Sequence, residues 1–336
     1  MHMADALLSP AIGVSMCAVS AGAVVYSVAK INKDDLCEKK VPVMGVMGAF
    51  VFAAQMINFT IPATGSSGHI GGGILLAAVL GGFPAFLSIT AVLFIQCLFF
   101  ADGGLLALGC NIFNMGIIPC LIIYPLVFKP IIKNNITALK MTIASISASI
   151  AGLQLGSFCV VLQTQLSGVT ELPFSIFVVL MQPIHLAIGI IEGIITAAIL
   201  AFVYKMRPEI IESASGRTAI GGISIKNLLI SLAVITLIAG GALSLFASPY
   251  PDGLEWSMEK AAGTAELETN GAVMEKAQSI QEAIAFMPDY GFKDAGGQTA
   301  VTGTSAAGII GGALTFLLAG TLAFIISNIK KKYKQK

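Results

Sequence analysis

Long apolar stretches dominate the chain, and their length restricts it to a membrane environment. An α-helix needs about 20 apolar residues to cross a bilayer core about 30 Å thick. Nine apolar stretches lie near residues 9–29, 41–60, 70–83, 84–100, 104–128, 137–166, 174–203, 226–247 and 305–328. The third and fourth are separated only by a Gly-Gly-Phe-Pro break at residues 81–84, and the third is short. The sequence predicts an all-α polytopic membrane protein with about nine transmembrane helices.

Composition excludes several other classes of protein. Only 11% of the 336 residues are charged, against about 25% in typical soluble domains, so a soluble enzyme could not cover its surface. With 56% apolar residues, the chain is too hydrophobic for a disordered regulator. The formal net charge of +1 also lacks the basic excess of a nucleic-acid binder. The partner that composition indicates is the lipid bilayer of a cell membrane.

The distribution of basic residues predicts the orientation of the chain. Loops on the cytoplasmic side of a membrane carry an excess of Lys and Arg. With nine spans and the N-terminus outside, the inner segments hold sixteen of the 19 basic residues. Merging the third and fourth spans would put the basic cluster at 129–140 outside. We therefore expect the N-terminus on the outer side and the C-terminus on the inner side.

The chain divides into two predicted blocks joined by a polar linker. Residues 1–205 contain seven closely spaced spans, residues 206–225 form a cytoplasmic linker, and residues 226–336 form a two-helix hairpin. The outer segment of the hairpin, 248–304, carries nine of the 18 acidic residues. These acids give the predicted outer surface a strong negative charge.

Two of the three histidines are predicted to lie on the outer side, where they suggest a metal site. His2 lies at the N-terminus, and His69 lies in a Gly-rich loop at the end of the second span. The Met1 amine, the His2 backbone nitrogen and the His2 imidazole can close two fused chelate rings, and His69 can supply a fourth nitrogen. An all-nitrogen tetragonal site suits Ni(II) or Cu(II) and is compatible with Co(II). In the alternative interpretation, His2 and His69 are ordinary polar residues.

Polar residues inside the spans have both functional and structural interpretations. His185 and Glu192 are seven residues apart and share one face of the seventh span. Ionisable groups within membranes are functional candidates by default, although a structural contact explains them equally well. The amides in or near spans are Gln55, Asn58, Gln96, Asn111 and Asn114. Of these, Gln55, Asn58, Asn111 and Asn114 are candidates to orient metal ligands or to bond between helices.

Two other functional classes fit parts of the sequence. Gly65-Ser66-Ser67-Gly68 fits the nucleophile pattern of rhomboid intramembrane proteases, with His185 as a candidate base. This hypothesis explains neither His2 nor the acidic outer segment. A stand-alone secondary metal permease is the other alternative. The chain has no Gly-Lys-Ser/Thr phosphate-binding motif, so it is not predicted to bind nucleotide.

Several motifs in the first block resemble one known family. The opening Met1–Pro10 resembles the N-terminus of the CbiM/NikM proteins, which are the substrate-binding S-components of energy-coupling-factor cobalt and nickel importers. The resemblance covers roughly residues 1–205. It continues through Gln55–Phe59, Gly68–Gly72, Phe99–Leu105, Asn111–Gly116 and His185–Gly193.

The second block resembles a different domain of the same transport systems. Pro251-Asp252-Gly253-Leu254-Glu255 matches the name motif of the PDGLE domain, a counterpart of the small CbiN/NikN subunit, and Pro288-Asp289-Tyr290 matches a later motif. The chain thus looks like a fusion of a CbiM-type block and a PDGLE domain.

The resemblance implies a fold, a ligand set and partners. The implied fold is a seven-helix S-component bundle followed by a two-helix hairpin. The implied metal ligands are the amine of Met1, the backbone and imidazole nitrogens of His2, and His69. The implied partners are an EcfT/CbiQ-type transmembrane coupling subunit and CbiO-type ATPases.

The implied substrate is Co²⁺ or Ni²⁺, captured at the outer face of the cell membrane. The N-terminus and the PDGLE fusion favour cobalt for cobalamin biosynthesis, while the nitrogen ligands favour nickel for nickel enzymes. The outer segment is expected to assist metal loading. The sequence alone leaves the choice of metal open.

Overall fold

The computed structural model of the chain describes residues 2–31, 40–170, 172–216, 224–264, 267, 271–293 and 300–333. Within these residues the fold is almost entirely helical, as predicted. The helices before residue 170 are α1 (Pro10–Lys30), α2 (Lys40–Gln55), α3 (Gly73–Leu80), α4 (Gly82–Phe100), α5 (Leu108–Ile112), α6 (Lys129–Ile132) and α7 (Ala138–Ser167). The later helices are α8 (Phe174–Met206), α9 (Pro208–Ala214), α10 (Lys226–Gly241), α11 (Gly253–Ala262), α12 (Ala272–Ile284) and α13 (Ala300–Tyr333).

Seven helical segments of the described chain are long and apolar enough to cross a membrane. They are Pro10–Lys30, Gly82–Phe100, Leu108–Ile132, Ala138–Ser167, Phe174–Met206, Lys226–Phe246 and Thr302–Ile329. The segment Leu108–Ile132 joins α5 to α6 through a π-helical stretch, Phe113–Phe128, which contains two prolines. Proline lacks the backbone N–H that an α-helical ladder needs, so irregular hydrogen bonding is expected there. The multi-pass, all-α prediction is confirmed.

The second and third predicted spans differ most from expectation. The second apolar stretch, 41–60, forms helix α2 only as far as Gln55, and a β-ribbon of Phe59–Ile61 paired antiparallel with Ser66–Gly68 follows it. The third stretch forms only the eight-residue helix α3, which is about 12 Å long and too short to span a bilayer. The predicted break after it is present, because Gly81 adopts a φ of 88° between α3 and α4.

The physical reason for the short third helix lies in the residues before it. The residues from Gly68 to Gly72 are not helical, and Gly72 has a φ of 78° that favours glycine. A Cβ on Gly72 would lie 2.5 Å from a methyl carbon of Val51, so this loop passes directly against α2. Non-helical backbone at membrane depth is tolerated where protein surrounds it, and periodicity alone does not reveal such packing.

The two helices of the second block pack against α2. Gly45 lies against the ring of Phe316 in α13, and the backbone of Gly240 in α10 contacts Ala53. A Cβ on Gly311 would overlap the ring of Phe52, so glycine is needed where α13 crosses α2. Small residues allow this close approach in membranes. The second block is thus joined to the first by side-by-side helix packing.

The described part of the segment between α10 and α13 packs against the first block. Asp252 caps α11 with hydrogen bonds from the backbone N–H groups of Leu254 and Glu255, and the Glu255 side chain accepts from the Asp252 N–H. This reciprocal capping box fixes the start of the helix. Trp256 donates to the carbonyl of Thr64, 3.0 Å away, and thereby ties α11 to the β-ribbon.

Candidate metal site

The N-terminal segment is threaded into the first block and held by backbone hydrogen bonds. The Met3 N–H donates to Asn111 Oδ1 at 2.8 Å, and Asn111 Nδ2 donates back to the Met3 carbonyl at 3.2 Å. Gly104 N–H donates to the same carbonyl at 2.9 Å, and the Ala107 N–H donates to Asp5 Oδ1 at the same distance. Met3, Leu7 and Leu8 are fully buried. Position 2 is therefore fixed inside the protein.

This threading brings His2 and His69 together, as the site hypothesis requires. The rings of His2 and His69 are stacked, with centroids 5.5 Å apart and planes inclined by 20°. His69 reaches this position from the Gly-rich loop, where its Nδ1 lies 3.0 Å from the carbonyl of Ile70. The predicted metal ligand Met1 lies outside the described residues.

Burial keeps both imidazoles in the form that binds metals. The His2 side chain is only 6% exposed, and burial lowers its pKa to about 3. Burial likewise lowers the pKa of His69 to about 4. Metal ligation requires the neutral imidazole, which both residues hold at neutral pH. The contact between His2 Nδ1 and Asp102 Oδ1, 3.1 Å, is therefore a hydrogen bond of a neutral ring rather than an ion pair.

One nitrogen of His2 has no partner in the described part of the chain. Its Nε2 is buried and makes no hydrogen bond, and the same holds for Oε1 of the fully buried Gln96. Buried polar atoms are nearly always paired, so two unpaired atoms in one region point to a ligand or a functional state. The ring of His2 is thus held on one side and open on the other.

The Gly-rich loop that carries His69 is fixed by two buried side chains. Glu192 accepts hydrogen bonds from the N–H groups of Gly71 and Gly72, at 2.8 and 3.0 Å. These donors lie at the N-terminus of α3, where a carboxylate is favoured by the helix dipole. Gln55 donates to the Gly71 carbonyl at 3.0 Å and accepts from Gln96 at 2.9 Å.

The remaining candidate residues differ in whether they contact the N-terminal segment or other parts of the protein. Asn111 orients Met3, while Asn114 exchanges two hydrogen bonds with Gln163 and contacts the sulfur of Met3. The Asn58 carbonyl accepts the N–H of Ser248 in the outer segment. His185 bonds the Met181 carbonyl through Nδ1 and lines a small cavity of about 20 Å³ together with His69.

A larger chamber of about 350 Å³ is lined by residues of both blocks. Its lining includes His2, His69 and Gln96 from the first block. Carboxyl groups also line it, and burial raises the pKa of both Asp102 and Glu255. The nearby charge of Asp252 raises the pKa of Glu255 further, so negative charge is crowded here.

Sequence reasoning named Gln96 only as a polar residue of a span, and it missed Asp102, which contacts His2, and Tyr290, whose hydroxyl donates to Asp102. Asp102 lies in the motif Phe99–Leu105 and Tyr290 in the motif Pro288–Tyr290. Both motifs carry the family resemblance, and this was the available sequence signal for the two residues. Their proximity across 188 residues could not be read from spacing. No three side chains of His, Cys, Asp or Glu within the described ranges form a metal-holding group.

The protease alternative does not match the contacts. The hydroxyl of Ser67 donates to the carbonyl of Tyr250 at 2.7 Å, and His185 is bonded to Met181. A serine nucleophile needs a base within hydrogen-bond reach, and these two residues are bonded elsewhere.

The chain resembles metal-transport proteins over nearly its whole length. A protein of Archaeoglobus fulgidus, provisionally named as a fused nickel transport protein NikMN, is 30% identical over 322 residues, which cover 96% of this chain and 98% of the relative. A fused nickel transport protein NikMN of Rhodobacter capsulatus is 30% identical over 63% of this chain and 64% of its own length. A crystal structure of a truncated transition metal transporter matches 61% of this chain and 99% of its own, with a TM-score of 0.53 and 31% identity.

Two family models account for the two blocks. The model of the cobalt uptake substrate-specific transmembrane region, CbiM, matches residues 2–210. The model of the PDGLE domain matches residues 226–328. The chain therefore belongs to the CbiM family, carries a PDGLE domain as its second block, and is a membrane-embedded component of metal transport rather than an enzyme.

Proposed function

We propose that this chain is the substrate-binding component of an ATP-driven energy-coupling-factor importer in the cell membrane, and that it captures Co²⁺ or Ni²⁺ from the outer side. The observation that supports this most directly is the buried pairing of His2 with His69. Two neutral imidazoles lie stacked at the end of a threaded N-terminal segment. Such nitrogen donors suit Ni²⁺ and Co²⁺ and disfavour Mg²⁺ and Ca²⁺.

The proposed ligands are the amine of Met1, the backbone nitrogen and imidazole of His2, and the imidazole of His69. The second chelate ring closes through Nδ1 of His2, because that atom is separated from the backbone nitrogen by three carbons. In the metal-free chain Nδ1 contacts Asp102, so metal binding replaces this contact. Asn111 and Gly104 hold Met3 and thereby keep the chelating residues at the pocket.

The site is tested by moving the amine away from His2. Addition of one residue before Met1, or the substitution His2→Ala, removes one or more chelate rings. Either change should lower the affinity for Ni²⁺ or Co²⁺ by about 1,000-fold or more, which corresponds to roughly 4 kcal/mol. Isothermal titration of the purified full chain measures this affinity. Unchanged affinity in both variants would contradict the proposed site.

ATP hydrolysis is assigned to partner subunits. The chain carries no Gly-Lys-Ser/Thr phosphate-binding motif. We propose an EcfT/CbiQ-type coupling subunit in the membrane and CbiO-type ATPases at the inner face. Liposomes that contain this chain with those partners should accumulate metal only when ATP is present. The ATP must be on the side of the membrane where the ATPases lie. Uptake by this chain alone would instead indicate a secondary permease.

The cargo is one of two metals, and different observations support each. The fused relatives have names that refer to nickel, and the nitrogen ligands favour nickel. The name of the matching family refers to cobalt uptake, which supports a supply of cobalt for cobalamin biosynthesis. Competitive uptake of Co²⁺ and Ni²⁺ by the complete transporter, at limiting concentrations, distinguishes the two.

A further inference from the structure

His69 lines two cavities, and the lining of each includes one other histidine. The chamber of about 350 Å³ is lined by His2, whereas the cavity of about 20 Å³ is lined by His185. The small cavity lies among three membrane-spanning segments, because Met115, Leu153 and His185 of its lining belong to one segment each. His69 is thus shared between the proposed nitrogen site and a position inside the helix bundle.

The imidazole of His185 has one ring nitrogen that is buried and unpaired. The residue is 1% exposed, and its Nε2 makes no hydrogen bond within the residues that the structure describes. Its Nδ1 lies 2.8 Å from the carbonyl of Met181. A carbonyl oxygen only accepts, so Nδ1 is the donor, and Nε2 of the neutral ring carries a lone pair. The ring is neutral because a buried imidazolium with an unpaired N–H is costly.

His69 is held in the same tautomer by the same type of contact. Its Nδ1 lies 3.0 Å from the carbonyl of Ile70, so its Nε2 also carries the lone pair. Histidines that bind metals commonly donate their other N–H to a backbone carbonyl, which fixes the ring and raises the basicity of the ligand. Both imidazoles that line the small cavity are therefore prepared to bind a metal ion through Nε2.

The small cavity has room for one ion and a negative charge beside it. Its volume of about 20 Å³ exceeds the roughly 10–15 Å³ that one water molecule requires. The carboxylate of Asp252 also lines the cavity while it caps α11. A Cβ on Gly253 would lie 3.2 Å from Cε1 of His185, so the start of α11 forms a wall directly against that ring. A cation in this cavity has two imidazoles and one carboxylate as neighbours.

This position binds a metal ion less strongly than the proposed nitrogen site. No three side chains of His, Cys, Asp or Glu converge to hold an ion in the described part of the chain, so His69 and His185 offer two nitrogen ligands at most. The proposed nitrogen site offers four. An ion moves along a path only where each position releases it again, so weak binding suits a step of transfer.

We propose that His69 passes the metal ion from the nitrogen site to His185, and that His69 and His185 together form a transfer position within the helix bundle. A bond from the ion to Nε2 of His185 forms while the bonds to Met1 and His2 break, and the N-terminal amine and the His2 amide regain protons from solvent. This proposal rests on the proposed metal-capture function and extends it to the next step of transport. The four nitrogens set the affinity, whereas His185 sets the rate at which the ion leaves them.

The test removes the metal-binding nitrogen of His185 and keeps its structural hydrogen bond. His185→Asn retains an N–H that can donate to the Met181 carbonyl, but it has no ligand in the place of Nε2. The matched control is Gln182→Ala, three residues earlier in α8, which removes a hydrogen bond to Ser157 and does not change the lining of the cavity. Equal midpoints of thermal unfolding show that both variants fold.

Proton magnetic resonance of the purified full chain with Co²⁺ counts the imidazoles on the ion, because each coordinated ring gives its own shifted N–H signal. In a His2→Ala background, which removes the chelate, we expect two such signals, from His69 and His185. Addition of His185→Asn should remove one signal, and addition of Gln182→Ala should remove none. Fewer than two signals in His2→Ala, or two signals after addition of His185→Asn, would overturn the proposal.

Uptake by the complete transporter in liposomes measures the transfer itself. His185→Asn should lower the initial rate of Ni²⁺ uptake about tenfold, because loss of one ligand raises the barrier to transfer. The dissociation constant of the purified chain for Ni²⁺ should stay within about twofold, and Gln182→Ala should change neither quantity. Uptake of His185→Asn at the unmodified rate, or a parallel loss of affinity, would overturn the proposal.

The transfer position and the nitrogen site fail in different ways. Tight Ni²⁺ binding that survives His2→Ala would refute the nitrogen site, and the transfer position would fall with it. Loss of tight binding in His2→Ala, combined with normal uptake by His185→Asn, would refute the transfer position alone.

Discussion

The histidine pair and helix α8 each bury ionisable side chains, but they use them differently. Glu192 in the interior has both carboxylate oxygens bonded to backbone N–H groups of the Gly-rich loop. Among the described residues, His2 is bonded only through Nδ1, to Asp102, and Nδ1 is the atom through which the proposed chelate ring closes. The two hydrogen bonds of Glu192 stabilise the loop, whereas the single contact of His2 is one that a metal ion would replace in the proposed site.

Substitution of His69 and of His185 tests this comparison most directly. His69→Ala should lower Ni²⁺ or Co²⁺ affinity by about 100-fold, roughly 2.7 kcal/mol, because one nitrogen ligand is lost. His185→Ala is the matched control, since its ring bonds Met181 and does not stack on His2. Equilibrium dialysis of both variants measures the difference. Equal losses would show that His185 belongs to the site.

Substitution of Glu192 tests the structural side of the comparison. Glu192→Ala leaves two buried N–H groups at the start of α3 without a partner, at a cost of about 2 kcal/mol. The midpoint of thermal unfolding in detergent should fall by several degrees, while the folded fraction still binds one metal ion per chain. A normal midpoint combined with lost metal binding would place Glu192 in the site instead.

Asn111 lies between these two cases, because it is fully bonded but holds the segment that carries His2. Asn111→Ala removes two hydrogen bonds to Met3 and should weaken metal binding about tenfold, as for other residues that orient ligands. Asn114→Ala provides a comparison, because Asn114 bonds mainly to Gln163. A tenfold loss confined to Asn114→Ala would reverse the assigned roles.

The lowered pKa values of His2 and His69 predict acid sensitivity of the metal-free fold. Their pKa values are about 3 and about 4 in the folded protein, against about 6.5 in an unfolded chain. The unfolded state therefore binds more protons between these values, and stability falls as the pH drops below 6.5 towards 4. The slope is about 1 kcal/mol per pH unit for each histidine.

Thermal unfolding of the metal-free chain between pH 7 and pH 4 measures this slope. The double variant His2→Ala/His69→Ala should lose stability less steeply over the same range, because it lacks both buried imidazoles. Identical slopes for the two proteins would mean that other groups govern the acid sensitivity.

The sequence by itself determined the class of fold and the family. Apolar runs of 20 or more residues have one stable environment, so the polytopic all-α architecture followed directly from hydropathy. The chemistry of an N-terminal His2 and a Gly-rich loop with His69 also pointed to one site, and the structure brings these two residues together. Local chemistry and topology were sufficient for these inferences.

Only the tertiary structure decided what surrounds that site. Asp102 contacts His2 across 100 positions, Tyr290 contacts Asp102 across 188, and Glu192 bonds Gly71 across 121. The predicted third span is only the eight-residue helix α3 in the structure. The loop that precedes α3 is packed against α2 and bonded to Glu192, so these residues do not extend the helix. Such contacts depend on how the helices pack, and helix packing in a membrane is governed by close side-chain fit that periodicity does not encode.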